Sequence, residues 1–107
     1  MNIVCEKRAT GTLVQVSGRM DALNAPAFEK EFLRLLDGGE KKAVVDLTDL
    51  EYISSAGLRS ILASAKKAKG AGCTMQFCGL SGMVEEVFNV SGLGTMFSVT
   101  STAAEAF

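Results

Sequence analysis

The chain of 107 residues contains no histidine, and that absence excludes more chemistry than any other feature of its composition. Without an imidazole there is no ordinary base to activate a serine or cysteine nucleophile, and the commonest metal ligand is missing. Cys5, Cys73 and Cys78 are the three cysteines. An odd set in a sequence without secretory features argues for reduced thiols over a disulfide frame. If Cys73 to Cys78 is a strand, the two end thiols lie an odd number of residues apart and face opposite ways, so they cannot share a ligand. Neither a metal nor another cofactor is expected.

An excess of charge is missing too. The formal net charge is −1, so no broad basic surface exists to neutralise nucleic-acid phosphates. No apolar run reaches the roughly 18 to 20 residues that span a bilayer, and the start, Met-Asn-Ile-Val-Cys-Glu-Lys-Arg, has no long apolar core after its charges. A cytoplasmic protein without membrane insertion is the expectation. With 48% apolar residues, the chain suits one compact domain over residues 1–107.

What is present is a regular alternation of strand and helix patterns. Ile3 to Lys7 and Thr12 to Ser17 alternate and are β-branched, with Ala9-Thr10-Gly11 as a turn between them, which predicts an opening hairpin. Asn24 is placed as an N-cap with Pro26 in the first turn, and Phe28, Phe32, Leu35 and Leu36 mark one apolar helix face that Gly38-Gly39 stops. Ala43 to Leu47 reads as a central strand. A short loop then leads to a helix from Ala56 to Lys69 with Leu58, Ile61, Leu62 and Ala65 inward, Arg59, Lys66 and Lys67 outward, and Gly70 to Gly72 as its stop. Lys66, Lys67 and Lys69 complement the dipole at its C-terminal end. Cys73 to Cys78 reads as a strand, Ser81 as the cap of a helix carrying Val84, Val87 and Phe88, Met96 to Val99 as a last strand, and Thr102 to Glu105 as a capping box opening a final helix of barely one turn. The fold class is α/β, a mixed sheet with helices packed on it.

Two serines stand at the start of the second of these helices. If Ser55 begins it, its oxygen can cap free backbone N–H groups, and a phosphate there would face the positive end of the helix dipole. Either Ser54 or Ser55 also suits a plain N-cap. Around them, Asp46-Leu47-Thr48-Asp49-Leu50-Glu51-Tyr52-Ile53-Ser54-Ser55-Ala56-Gly57-Leu58 resembles the strand-to-helix signature of the anti-sigma factor antagonists, small bacterial proteins of the STAS domain class. Gly18-Arg19-Met20-Asp21 before it and Val90-Ser91-Gly92-Leu93 after it complete three motifs in family order, covering nearly the whole chain. The resemblance implies the STAS fold and places the family's phosphorylatable serine at Ser55, two before the glycine of the Gly57-Leu58 pair. Ser54 falls where many members carry Asp and supplies a second hydroxyl for phosphorylation.

Catalysis has little support in the residues. A nucleophile elbow needs a glycine two before Ser55, where Ile53 stands, and a histidine base. Gly70-Ala71-Gly72 lacks the third glycine of a dinucleotide loop and precedes a strand, and no P-loop lysine motif occurs. Asp21, Asp46 and Asp49 are ordinary turn and strand-end acids. No enzyme activity is expected.

Arg19, Asp21, Asn24, Ser54, Ser55 and Gly57 are instead expected to share one end of adjacent strands as a partner-docking surface, Gly57 by letting the first helical turn sit close to a strand. The resemblance implies that the partner is an anti-sigma factor that is also a serine kinase of the histidine-kinase-like ATPase fold. The unphosphorylated protein binds it and frees the sigma factor, phosphorylation ends the binding, and a phosphoserine phosphatase reverses it. Two other readings fit the same residues: a STAS scaffold or transporter-associated binding domain, and a module holding a nucleotide or anion at the Ser55 helix start.

Overall fold

The computed structural model describes residues 1–107. The opening hairpin is β1 (Asn2–Arg8) and β2 (Gly11–Met20), antiparallel, with Arg8 opposite Gly11 across the turn. There follow α1 (Ala25–Asp37), β3 (Lys42–Asp46), β4 (Leu50–Ile53), α2 (Ser55–Gly70), β5 (Thr74–Cys78), α3 (Gly82–Ser91), α4 (Leu93–Met96), β6 (Val99–Thr100) and α5 (Ala103–Ala106). The sheet runs β1-β2-β3-β5-β6, and β2–β3, β3–β5 and β5–β6 are all parallel. Parallel neighbours need crossovers, which α1 to α4 supply. This is the expected mixed α/β architecture.

Strand alternation sorts the apolar residues onto two faces. Val14, Val16, Ala43, Val45, Met75 and Phe77 meet Phe28 and Phe32 of α1, Ile61 of α2, and Val84 and Phe88 of α3 in one core of 19 buried residues. Leu13, Val44 and Cys78 point the other way, onto Ala106 of α5. The guanidinium of Arg8 and the ammonium of Lys42 sit 5.4 Å and 5.2 Å from the Phe107 ring centroid, and Lys42 also donates to the Ala106 carbonyl, so the short α5 is pinned to that face. Cys73 packs in the first core and Cys78 in the second, as strand parity requires. Burial, helped by the Asp46 charge, pushes the Cys78 thiol up to about 12.

Several local expectations change. The segment read as a loop after β3 contains β4, which pairs parallel with the end of β2. Leu47 lies beyond β3 yet is buried, its N–H donating to the Cys78 carbonyl at 3.0 Å. Along α2, Leu58, Ile61 and Ala65 pack on the core as expected, but the fully buried positions are Gly57, Ser60, Ile61, Ser64 and Ala68, and Leu62 is exposed, because α2 lies against α1 on small side chains. Met96 to Val99 is not one strand: Leu93–Met96 makes a helical turn and only Val99–Thr100 pairs with β5. Gly92, with φ +81, ends α3 in the left-handed region and turns Leu93 into the core. The Ser81 side chain makes no cap hydrogen bond, whereas Thr102 accepts from the Glu105 N–H at 3.4 Å.

One ionic tie joins the first three strands. Glu40 accepts from Lys7 Nζ at 2.7 Å, from the Thr12 hydroxyl, and from the N–H groups of Lys41 and Lys42 at 3.1 Å and 3.4 Å. The Lys7 bond first, then the Thr12 bond, draws its carboxyl down to about 2 from an ordinary 4.5. A depressed folded-state pKa gives stability that is present above the unfolded value and is lost as pH falls from about 4.5 through about 2. Glu40→Gln is therefore expected to lower Tm at neutral pH, with the deficit shrinking below pH 4.5 and closing near pH 2. Thermal melts across that range check it, and a deficit that stays constant would refute it.

Candidate functional site

The six residues singled out from the sequence meet where β2 and β4 end. Gly18, with φ +88, lies at an irregularity in the β2–β4 register, which then pairs Arg19 with Tyr52 and Met20 with Ile53. The next residue after Ile53 is Ser54, so β4 delivers the helix start beside Met20. Its N–H donates to the Met20 carbonyl at 3.0 Å and its hydroxyl donates to the same oxygen at 3.3 Å.

Ser54, not Ser55, is the N-cap of α2. Its backbone is extended and its Oγ accepts the Gly57 N–H at 3.1 Å. Both bonding roles of that hydroxyl are thereby used, on a half-buried side chain. Ser55 is the first residue of α2, exposed, and its hydroxyl makes no hydrogen bond. Helix geometry leaves the N–H groups of Ser55 and Ala56 without intrahelical acceptors. Of the two serines that suited an N-cap, Ser54 takes the position because its bonds to the Met20 carbonyl fix it there. Ser54→Ala removes the cap and is expected to cost about 1 kcal/mol, read as a fall in Tm of roughly 4–8 °C; an unchanged Tm would refute the assignment.

Gly57 is at the closest approach. A Cβ there would stand 2.6 Å from the Met20 carbonyl oxygen and 2.8 Å from Ile53 Cγ1, so only glycine lets the first turn of α2 press on β2 and β4.

Asp21 and Asn24 shape the β2-to-α1 turn. Asp21 Oδ1 accepts the Asn24 N–H at 3.0 Å, and the Asp21 carbonyl accepts the Ala25 N–H at 2.8 Å. Asn24 occupies the N-cap position of α1 without a side-chain cap bond; its amide instead donates to the Arg19 carbonyl at 3.3 Å. Arg19 stacks its guanidinium 4.2 Å from the Tyr52 ring centroid. Two contributors were not legible in the sequence. Tyr52 is visible as a partner of Arg19 only once β4 is known, and Leu23, 86% exposed between Asp21 and Asn24, looks like any apolar residue in a turn.

The end of β2 and β4 thus carries a free hydroxyl at a helix start, and the β2-to-α1 turn that follows β2 carries a carboxylate and an amide, with a ring-stacked cation at Arg19. Residues 5–100 match the family model described as Mlab, STAS domain. The chain belongs to the STAS domain family. BtrV of Bordetella bronchiseptica, provisionally named an anti-sigma factor antagonist, is 36% identical to this STAS domain over 110 residues, covering all of this chain and 95% of BtrV. The anti-sigma-B factor antagonist of Bacillus subtilis is 22% identical over 101 residues, 94% of this chain and 92% of the relative.

Solved STAS folds superpose closely. An anti-sigma factor antagonist from Mycobacterium paratuberculosis matches with a TM-score of 0.88 at 23% identity, over 98% of this chain and 89% of the other. SpoIIAA, solved in its unphosphorylated form, matches at 0.82 with 17% identity over 98% and 92%, and the phosphorylated form of the Bacillus protein at 0.75 with 17% identity over 98% and 96%. No helix of this STAS domain is long and apolar enough to cross a membrane.

Proposed function

We propose that this STAS domain is an anti-sigma factor antagonist switched by phosphorylation at Ser55. Unphosphorylated, it binds an anti-sigma factor that is also a serine kinase of the histidine-kinase-like ATPase fold, and the sigma factor is released. Phosphorylation of Ser55 ends that binding and a phosphoserine phosphatase restores it. The chain acts by docking and not by turnover. Arg19, Asp21, Asn24, Ser54, Ser55 and Gly57 form or support the docking surface, with Tyr52 holding Arg19 in place.

The observation that carries the reading is the contrast between the adjacent serines. The Ser54 hydroxyl is occupied on both sides, while that of Ser55 is exposed and unbonded at the start of a 16-residue helix. Helix N–H groups and the dipole favour a negative charge there, so a phosphate can be held without rearranging the fold. It adds roughly −1.5 to −2 charges to the docking surface, which repels an acidic partner surface. The relationship to BtrV and the existence of SpoIIAA in both phosphorylation states support the same reading.

Incubation with ATP in the native cytosol, followed by peptide mass spectrometry, tests the acceptor. One phosphate on Ser55 is expected. Phosphate on Ser54, or none on either serine, overturns the switch and favours a constitutive scaffold or a direct anion-binding role.

A further inference from the structure

An apolar groove of about 820 Å³ lies along α2, on a face that the docking surface does not use. Its floor is Cys73 and Met75, 6% and 7% exposed, and its walls are Leu62 of α2 with Met96 and Phe97 at the end of α4. Arg59, Lys66 and Lys69 stand on the α2 side, and no acidic side chain lines the groove. None of these three cations is in a salt bridge; the bridges of the chain join Lys7 to Glu40, Arg8 to Glu6 and Arg34 to Glu31. Positions 59, 62, 66 and 69 fall at i, i+3, i+7 and i+10, so cations and Leu62 share one helix face.

Dipole complementation accounts for part of this arrangement only. It is confined to the last turn of a helix, and Arg59 is in the second turn of α2. Nor does it call for an apolar trough beside the lysines, with Leu62 and Met96 left 38% and 62% exposed. Charge and shape together specify an occupant. From Arg59 to Lys69 the helix rises about 15 Å, and the groove of about 820 Å³ follows that length. It is ample for an alkyl chain and within the range of small-molecule sites, roughly 300–1,000 Å³. Met75 and Met96 supply flexible thioethers that remould around such a chain.

We infer that this groove binds a single-chain anionic amphiphile, its alkyl chain along Leu62, Met75 and Phe97 and its carboxylate against the α2 cations. The full chain titrated with dodecanoate below its micellar concentration, by calorimetry and two-dimensional NMR, tests this. Saturable one-to-one binding is expected, with shifts confined to residues 59–69, 73–75 and 96–97. Uncharged dodecanol should bind at least tenfold more weakly, and the double variant Lys66→Glu, Lys69→Glu, at two exposed positions, should lose at least tenfold in dodecanoate affinity, with Tm lowered only by the lost dipole complement at the end of α2. Non-saturable binding, equal affinity for dodecanol, or no effect of the double variant overturns the site. Binding of an acidic amphipathic helical peptide without binding of dodecanoate overturns it in favour of a protein partner.

Discussion

Ser55→Asp is expected to weaken capture of the proposed anti-sigma kinase by at least about 100-fold, or about 2.7 kcal/mol, while leaving the fold as stable as before or slightly more so. The two halves of that result come from one location. Ser55 is exposed at the first position of α2, so a carboxylate there meets unpaired N–H groups and the positive end of the dipole, worth about 0.3–1 kcal/mol of stabilisation. In an interface the same charge must be desolvated, and against an acidic partner surface like charges brought together cost several kcal/mol. Ser55→Ala is the control, retaining binding and blocking phosphorylation. Calorimetric titration against the purified kinase, with Tm measured on each variant, reads both quantities. Equal binding by wild type and Ser55→Asp would refute the switch, and a fall in both binding and Tm would reassign the residue to a structural role.

Gly57→Ala carries the largest expected cost to the fold. Its methyl group would lie 2.6 Å from a backbone oxygen and 2.8 Å from the Ile53 side chain, and a backbone atom cannot step aside as the end of a long side chain can. The first turn of α2 must lift from β2, which also stretches the Ser54 bonds to Met20 and Gly57. Overpacking of this kind costs about 1–3 kcal/mol, and loss of the cap adds about 1 kcal/mol. A total near 3 kcal/mol would lower Tm by roughly 12–24 °C for a domain near 100 residues. Denaturant unfolding checks it; a loss below about 1 kcal/mol would mean that α2 tolerates a shift the packing argues against.

The sequence carried the hairpin, the three long helices and the glycine contact, because each leaves a local signature: alternation, a spaced apolar stripe, a Gly-Leu pair after a serine. It did not carry β4. Leu50–Ile53 is four residues long and its partners, such as Met20 for Ile53, lie far back along the chain in β2, so nothing within the segment reports the pairing. Nor could it choose between adjacent serines, which cap helices equally well in isolation; the choice is made by the Met20 carbonyl, a tertiary neighbour. Leu62 was misplaced for a related reason. Periodicity ranks leucine as inward, but α2 approaches α1 closely enough that Ser60 and Ser64 take the buried positions. The apolar groove was invisible for the same cause, since Met75, Met96 and Leu62 come from three separate elements.

The presence of β4 has a consequence for how the serine is presented to an enzyme. Ser55 does not sit on a pliable loop that can be drawn out and threaded into an active-site cleft. It is the second residue after a paired strand and the first of a helix clamped at Met20. A kinase acting on it must recognise a conformational epitope composed from β2, β4 and α2, and a synthetic fragment covering Glu51 to Leu62, which has the serine and its flanking letters but not that shape, would be a poor substrate.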